Sequence, residues 1–184
     1  MDYMVIRSKR KTLALQIREA ELIVRAPLKV SERDIRKFVA EHTDWIEKHL
    51  SFAAERKKMS DSVTPLSKSE LDMLKKRAKA VFSERAEHYA RLLGVSFGKI
   101  TVRCQKTRWG SCSGKGNLSF NIALMLAPTE VLDSVVVHEL CHRKEMNHSK
   151  SFYSEVYSVF PEYDKWHGWL KENGACLMAK MRKT

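Results

Sequence analysis

The stretch TEVLDSVVVHELCHRKEMNH, at 129–148, narrows the possible folds more than any other part of the chain. Its SVVV core is apolar on every side, so a helix formed here has no polar face to leave in water and must be a central, packed element. Pro128 and Thr129 mark its start. Each helical residue turns the chain by about 100°, so residues three and four apart share a direction. Val131 and Val135 therefore lead along one stripe into His138 and His142, which places two imidazoles at the end of a buried ridge. Glu139 is rotated off that stripe. Asn147, a residue that tolerates left-handed backbone, is the expected helix-ending position, and the turn there lets His148 approach the pair.

This arrangement suits zinc. Two neutral imidazoles from consecutive turns and a third from beyond the helix make three protein ligands, leaving a fourth position for water. That open position distinguishes a catalytic from a closed structural site. Glu139 is placed to accept a proton from such a water and to deliver it to a leaving group. A purely structural zinc would leave Glu139 without a purpose.

The rest of the chain supports a sizeable core, with 43% apolar residues and no run long and apolar enough for a membrane helix. Four cysteines, Cys104, Cys112, Cys141 and Cys176, are dispersed without metal-knuckle spacing. With an opening that does not read as a secretion signal, they point to reduced thiols and a cytoplasmic location. The formal charge of +12 permits a polyanionic partner such as nucleic acid or a nucleoside triphosphate. The basic residues are spread from Arg7 to Lys183 in no compact domain, so the charge names no partner. No motif sets an oligomeric state.

YMVIRS, TLALQIR and ELIVRAP read as three strands of a small antiparallel sheet. Ser31 then opens a helix through SERDIRKFVAEHTDWIEKHL, in which His42 and His49 read as surface or core-edge residues rather than ligands. The segment 59–66 reads as a hinge, giving an N-terminal strand group and helix at 1–66 and a catalytic domain at 67–184. Ser67 and Glu70 form a capping pattern for a long helix that Gly94 ends. KITVRC reads as a strand, TRWGSCSGKG as a connection, NLSFNIAL as a strand, and PEYDKWHGWLKENG as a short helical pack. The fold class is α+β.

HELCHRKEMNHSKSF, together with TRWGSCS and NLSFNIALMLAP, resembles the YgjP-like metal-dependent hydrolase family, related to the SprT-like zinc metallopeptidases. The resemblance covers nearly the whole chain. It implies a minimal zincin-like metallopeptidase core, Zn2+ held by His138, His142 and His148, Glu139 as general base, and a polypeptide substrate. It also brings an alternative, a nucleotide pyrophosphatase acting on UTP or related nucleoside triphosphates. Against that, the chain lacks GxxxxGK[ST] and an acidic cluster for magnesium-bound phosphates. A third reading is a zinc-stabilised nucleic-acid-binding module. Metzincins share the histidine offsets but place glycine where this chain has Glu145, which argues against their sharp turn.

Several residues are candidates for support around the site. Arg108 could contact an anionic substrate or a developing oxyanion, and Trp109 is expected to pack its strand on the central helix. Gly110 permits a close backbone approach, and Ser111 can bond local backbone. Asn121, on a possible substrate-aligning edge strand at 119–126, either positions that strand or binds substrate. Arg143 could meet helix-end carbonyls or a phosphate. Tyr153 either stabilises charge or packs, and Glu155 is a rival outer partner or replacement ligand. Phe152, Phe160, Trp166 and Trp169 are expected to close one side of the core.

Overall fold

The computed structural model of the protein describes residues 1–105 and 107–182; Lys183, the last of the basic residues named above, lies outside them. The chain divides into two compact units, Met1–Ser62 and one that starts at Val63. Of the expected hinge at 59–66, residues 59–62 go with the first unit and 63–66 with the second, where the Leu66 amide donates to the Lys180 carbonyl at 2.8 Å.

In the first unit, β1 (Met4–Ser8), β2 (Ala14–Arg18) and β3 (Glu21–Pro27) form a sheet in the order β1-β3-β2. The β2–β3 pair is the expected antiparallel hairpin, turned by Glu19 and Ala20, both at positive φ as a tight two-residue turn requires. β1 departs from the expectation and pairs parallel with β3. β3 takes the centre because its Leu22, Ile23, Val24 and Ala26 are buried, so both flanking strands pair on that most apolar strand. The predicted single helix is two, α1 (Glu32–Glu41) and α2 (Thr43–Asp61), broken at His42 (φ −119°, ψ 20°), whose Nδ1 lies 2.8 Å from the Phe38 carbonyl. Ile35, Val39 and Ile46 close the core of this unit over the sheet.

The second unit opens with α3 (Lys68–Leu93), whose capping box joins Ser67 and Glu70 and whose end is Gly94 in the left-handed region, φ 65°. Next come β4 (Ile100–Arg103), β5 (Gly110–Cys112) and β6 (Leu118–Asn121), in the order β4-β6-β5. Two expectations change here. TRWGSCSGKG is not merely a connection, because β5 forms inside it. The strand beginning at NLSF stops at Asn121, whose side chain accepts the Ala123 amide and starts a 3₁₀ turn, Ile122–Leu126. The proposed edge strand at 119–126 is therefore the central strand, and the edges are β4 and β5.

Then follow α4 (Thr129–Cys141), α5 (Lys150–Val159) and α6 (Tyr163–Lys180). Every α4 residue from Val131 to Cys141 is buried except His138, as the unbroken apolar run requires. Fully buried Phe82 of α3 stacks on Phe120 of β6 at 4.7 Å, making a helix–sheet seam in the core. Arg85 of α3 grips Asp133 of α4 through two bonds, Nε to Oδ1 at 2.6 Å and Nη2 to Oδ2 at 2.5 Å, and Tyr89 donates to the same carboxylate at 3.2 Å. This pairing holds the Arg85 guanidinium well above its ordinary pKa. The aromatic segment after Pro161 is one continuous helix rather than a short pack.

Candidate metal centre

α4 ends earlier than the sequence pattern suggests. Its last turn tightens, with the Arg143 amide on the Leu140 carbonyl and those of Lys144 and Glu145 on Cys141, so His142 is the helix-ending residue. Asn147 does not take left-handed backbone; among the described non-glycine residues only Glu19 and Ala20 have positive φ. The return is made instead by a three-residue turn centred on His148, in which the Ser149 amide donates to the Asn147 carbonyl at 2.8 Å. Ser149 then caps α5 by accepting the Phe152 amide.

These turns gather three imidazoles. One ligand atom from each of His138, His142 and His148 lies within 4.8 Å of the others. The Nε2 atoms of His138 and His148 are 3.0 Å apart, and the three rings are spaced 4.9 to 5.0 Å centre to centre. Phe152, fully buried, lies 4.8 to 4.9 Å from each ring and forms a common floor. The outward nitrogens have partners. His142 Nδ1 is 3.0 Å from the Glu145 carbonyl, which can only accept, so the proton sits on Nδ1 and the Nε2 lone pair is free. His138 Nδ1 is 2.8 Å from the Tyr163 hydroxyl, itself 3.4 Å from His167 Nδ1. Burial first, then the neighbouring imidazoles, push His138 down to about 3, and burial lowers His142 as well. Both rings are therefore neutral at ordinary pH, the state a metal ligand needs. Three imidazoles gathered in this way, two of them held neutral, fit zinc.

Glu139 is buried on the neighbouring face of α4 and meets β5. A Cβ at Gly110 would come within 2.6 Å of Glu139 Oε1 and 2.7 Å of its Cγ, so only glycine leaves room for this carboxylate. Burial raises Glu139 to about 7, against the opposing effect of a hydrogen bond from the Cys112 backbone amide. A carboxylate poised near neutrality can both take and return a proton.

The other candidate residues have different roles. Asn121 donates through Nδ2 to the carbonyls of Gln105 and Arg108, at 2.8 and 2.9 Å, and accepts at Oδ1, so it organises the loop into β5. Arg108 is exposed, and its carbonyl takes part in that clamp. Trp109 packs on the core to which α4 belongs and also lies against α6, where a Cβ at Gly174 would reach within 2.6 Å of its ring. Ser111 pairs with Ser119 across β5 and β6. Arg143 reaches back to the carbonyls of Ser96 at 2.9 Å and Gly114 at 3.4 Å, tying two loops to the end of α4. Glu155 pairs with Lys144 at 2.7 Å and stands outside the metal-capable group, which corrects its reading as a replacement ligand. Tyr153 lies at the rim, its ring 6.5 Å from that of His148. Sequence reasoning missed Tyr163 and His167; their four-residue spacing makes them neighbours on one helical face but does not point to His138.

The sequence model of the YgjP-like family, metallopeptidase domain, matches residues 11–72 and 65–173. Among solved structures, the metallopeptidase zymogen of Pyrococcus abyssi abylysin is 28% identical, with a TM-score of 0.45 over 50% of this chain and 93% of that one. The zymogen of Methanocaldococcus jannaschii jannalysin is 21% identical, also at 0.45, over 50% of this chain and 95% of that one. No curated protein matches. Matched over well more than half its length and carrying a three-histidine metal site, the chain belongs to the YgjP-like family of metallopeptidase domains and is a zinc-dependent hydrolase.

Proposed function

We propose that His138, His142 and His148 hold zinc, that Glu139 is the general base, and that the substrate is a polypeptide laid along the free edge of β5. The observation that carries this reading is the contact between Glu139 and Gly110, which sets the base directly beside an edge strand. When bound, zinc supplies Lewis acidity, polarising a carbonyl and making water a stronger acid.

The edge has the right backbone groups. In the antiparallel β5–β6 pair, the Asn121 amide donates to Trp109 and the Ser113 amide to Asn117. Hydrogen-bonded pairs alternate along such a ladder, so Ser111 faces β6 while Gly110 and Cys112 turn their backbone groups outward. The Cys112 amide meets Glu139, and among the described residues no other backbone group pairs with the remaining outward groups, which suits pairing with an extended peptide. Glu139 takes a proton from the attacking water and passes it to the departing amine. The buried setting that raises its proton affinity also keeps bulk solvent from that proton.

The nucleotide and nucleic-acid readings gain no such support. Arg143, the residue expected to meet a phosphate, spends its guanidinium on two backbone carbonyls. Among the described residues no helix is long and apolar enough to cross a membrane. Zinc-loaded protein incubated with an unfolded polypeptide and, separately, with nucleoside triphosphates is expected to yield peptide fragments by mass spectrometry. Nucleoside monophosphate and pyrophosphate beside intact polypeptide would reject the peptidase reading.

A further inference from the structure

We infer that Tyr163 and His167 form a hydrogen-bonded relay behind His138 that fixes which of its nitrogens faces the metal. The inference rests on the zinc reading above and extends it to two residues outside the ligand set. Nδ1 of His138 and of His142 each has a hydrogen-bond partner, but the partners differ in kind. The Glu145 carbonyl opposite His142 can only accept, so it dictates the tautomer unaided. The Tyr163 hydroxyl opposite His138 can accept or donate. If it donated to Nδ1, the His138 proton would sit on Nε2, the atom facing His148, and that nitrogen could not be a ligand.

Tyr163 therefore helps the site only if its own proton goes elsewhere. His167 Nδ1, 3.4 Å from the hydroxyl and one helical turn further along α6, is the acceptor within reach. The order is then His138 Nδ1–H to Tyr163 Oη, and Tyr163 O–H to His167 Nδ1. The geometry supports a held arrangement. Tyr163 is 3% exposed, and its ring lies nearly parallel to those of His138 and His167, at 15° and 19°. With water kept from the hydroxyl, few other partners compete for it. Outer partners of metal-bound histidines hold ring orientation and raise ligand basicity, and their loss weakens metal binding by roughly 10- to 100-fold.

Tyr163 and His167 are thus positioning residues, acting on the metal through His138. The test is the zinc dissociation constant, measured by competition with a chromophoric chelator, together with the visible absorption of the cobalt-substituted protein. Tyr163→Phe is expected to weaken zinc by about 10- to 100-fold and to shift the cobalt bands, with far-ultraviolet circular dichroism unchanged. His167→Phe is expected to weaken zinc by a smaller factor. His167→Gln, whose amide oxygen can accept the same proton, should restore most of that loss. The double variant Tyr163→Phe/His167→Phe should bind no more weakly than Tyr163→Phe alone, because the second residue acts through the first. Zinc affinity within twofold of wild type in Tyr163→Phe, or losses that multiply in the double variant, would overturn the relay while leaving the metal reading intact. Wild-type protein that takes up no zinc would overturn both. The His167 pair of variants decides the matter even if Tyr163→Phe fails to fold.

Discussion

Glu139→Gln is expected to abolish turnover of a peptide substrate by at least about 10²- to 10⁴-fold, the usual contribution of a general base, while zinc binds in the same one-to-one ratio. The substitution is nearly isosteric. It keeps an oxygen for the Cys112 amide and fits the space that Gly110 leaves, so the helix and the three imidazoles are undisturbed. What it removes is the capacity to take a proton. Activity and metal content must therefore separate, measured as product formation and as zinc by elemental analysis on one preparation. Turnover within a few-fold of wild type would mean the proton goes to another group. Loss of both activity and zinc would mean Glu139 serves the metal rather than the water.

The second large effect concerns stability. Asp133 is 4% exposed in the central helix, and Arg85 supplies both hydrogen bonds of a two-pronged ion pair. Arg85→Met leaves that carboxylate buried with only the Tyr89 hydroxyl, which is expected to cost about 3–5 kcal/mol of unfolding free energy. The pair itself need not be stabilising relative to an apolar contact, because the Asp133 charge has been taken out of water and that of Arg85 partly so. Arg85→Met/Asp133→Leu should therefore regain most of what the single change loses. Urea unfolding followed by tryptophan fluorescence measures both. A single variant within 1 kcal/mol of wild type would show that water reaches Asp133 and the pair is not sealed.

The parts of this molecule that could be read in advance are those set by short-range arithmetic. The pairing of His138 with His142 follows from the helical angle, the burial of α4 from its unbroken apolar run, and the ends of α3 from Ser67, Glu70 and Gly94. What escaped depends on contacts distant in sequence. Tyr163 reaches His138 from another helix, and no periodicity within either segment announces that meeting. Asn121 and Arg143 look like substrate groups because their side chains are polar, yet both are spent on backbone carbonyls of loops that carry no pattern of their own. β5 is three residues long, too short for alternation to register, and only its pairing with β6 makes it a strand. The pairing of β1 with β3 rather than with its sequence neighbour β2 is likewise a contact between distant segments. At His148 the expected destination was reached by a different route: a turn centred on the histidine replaces the left-handed Asn147.

The central claim, that three imidazoles form the metal centre, is tested most directly by zinc K-edge X-ray absorption on the purified protein. The account predicts one zinc per chain with three nitrogen scatterers at about 2.0–2.1 Å, the remaining light-atom ligand from solvent and no sulfur. It also predicts that His148→Ala loses one of the imidazole contributions. A sulfur shell near about 2.3 Å, implicating Cys112 or Cys141, or an imidazole count unchanged in His148→Ala, would contradict it.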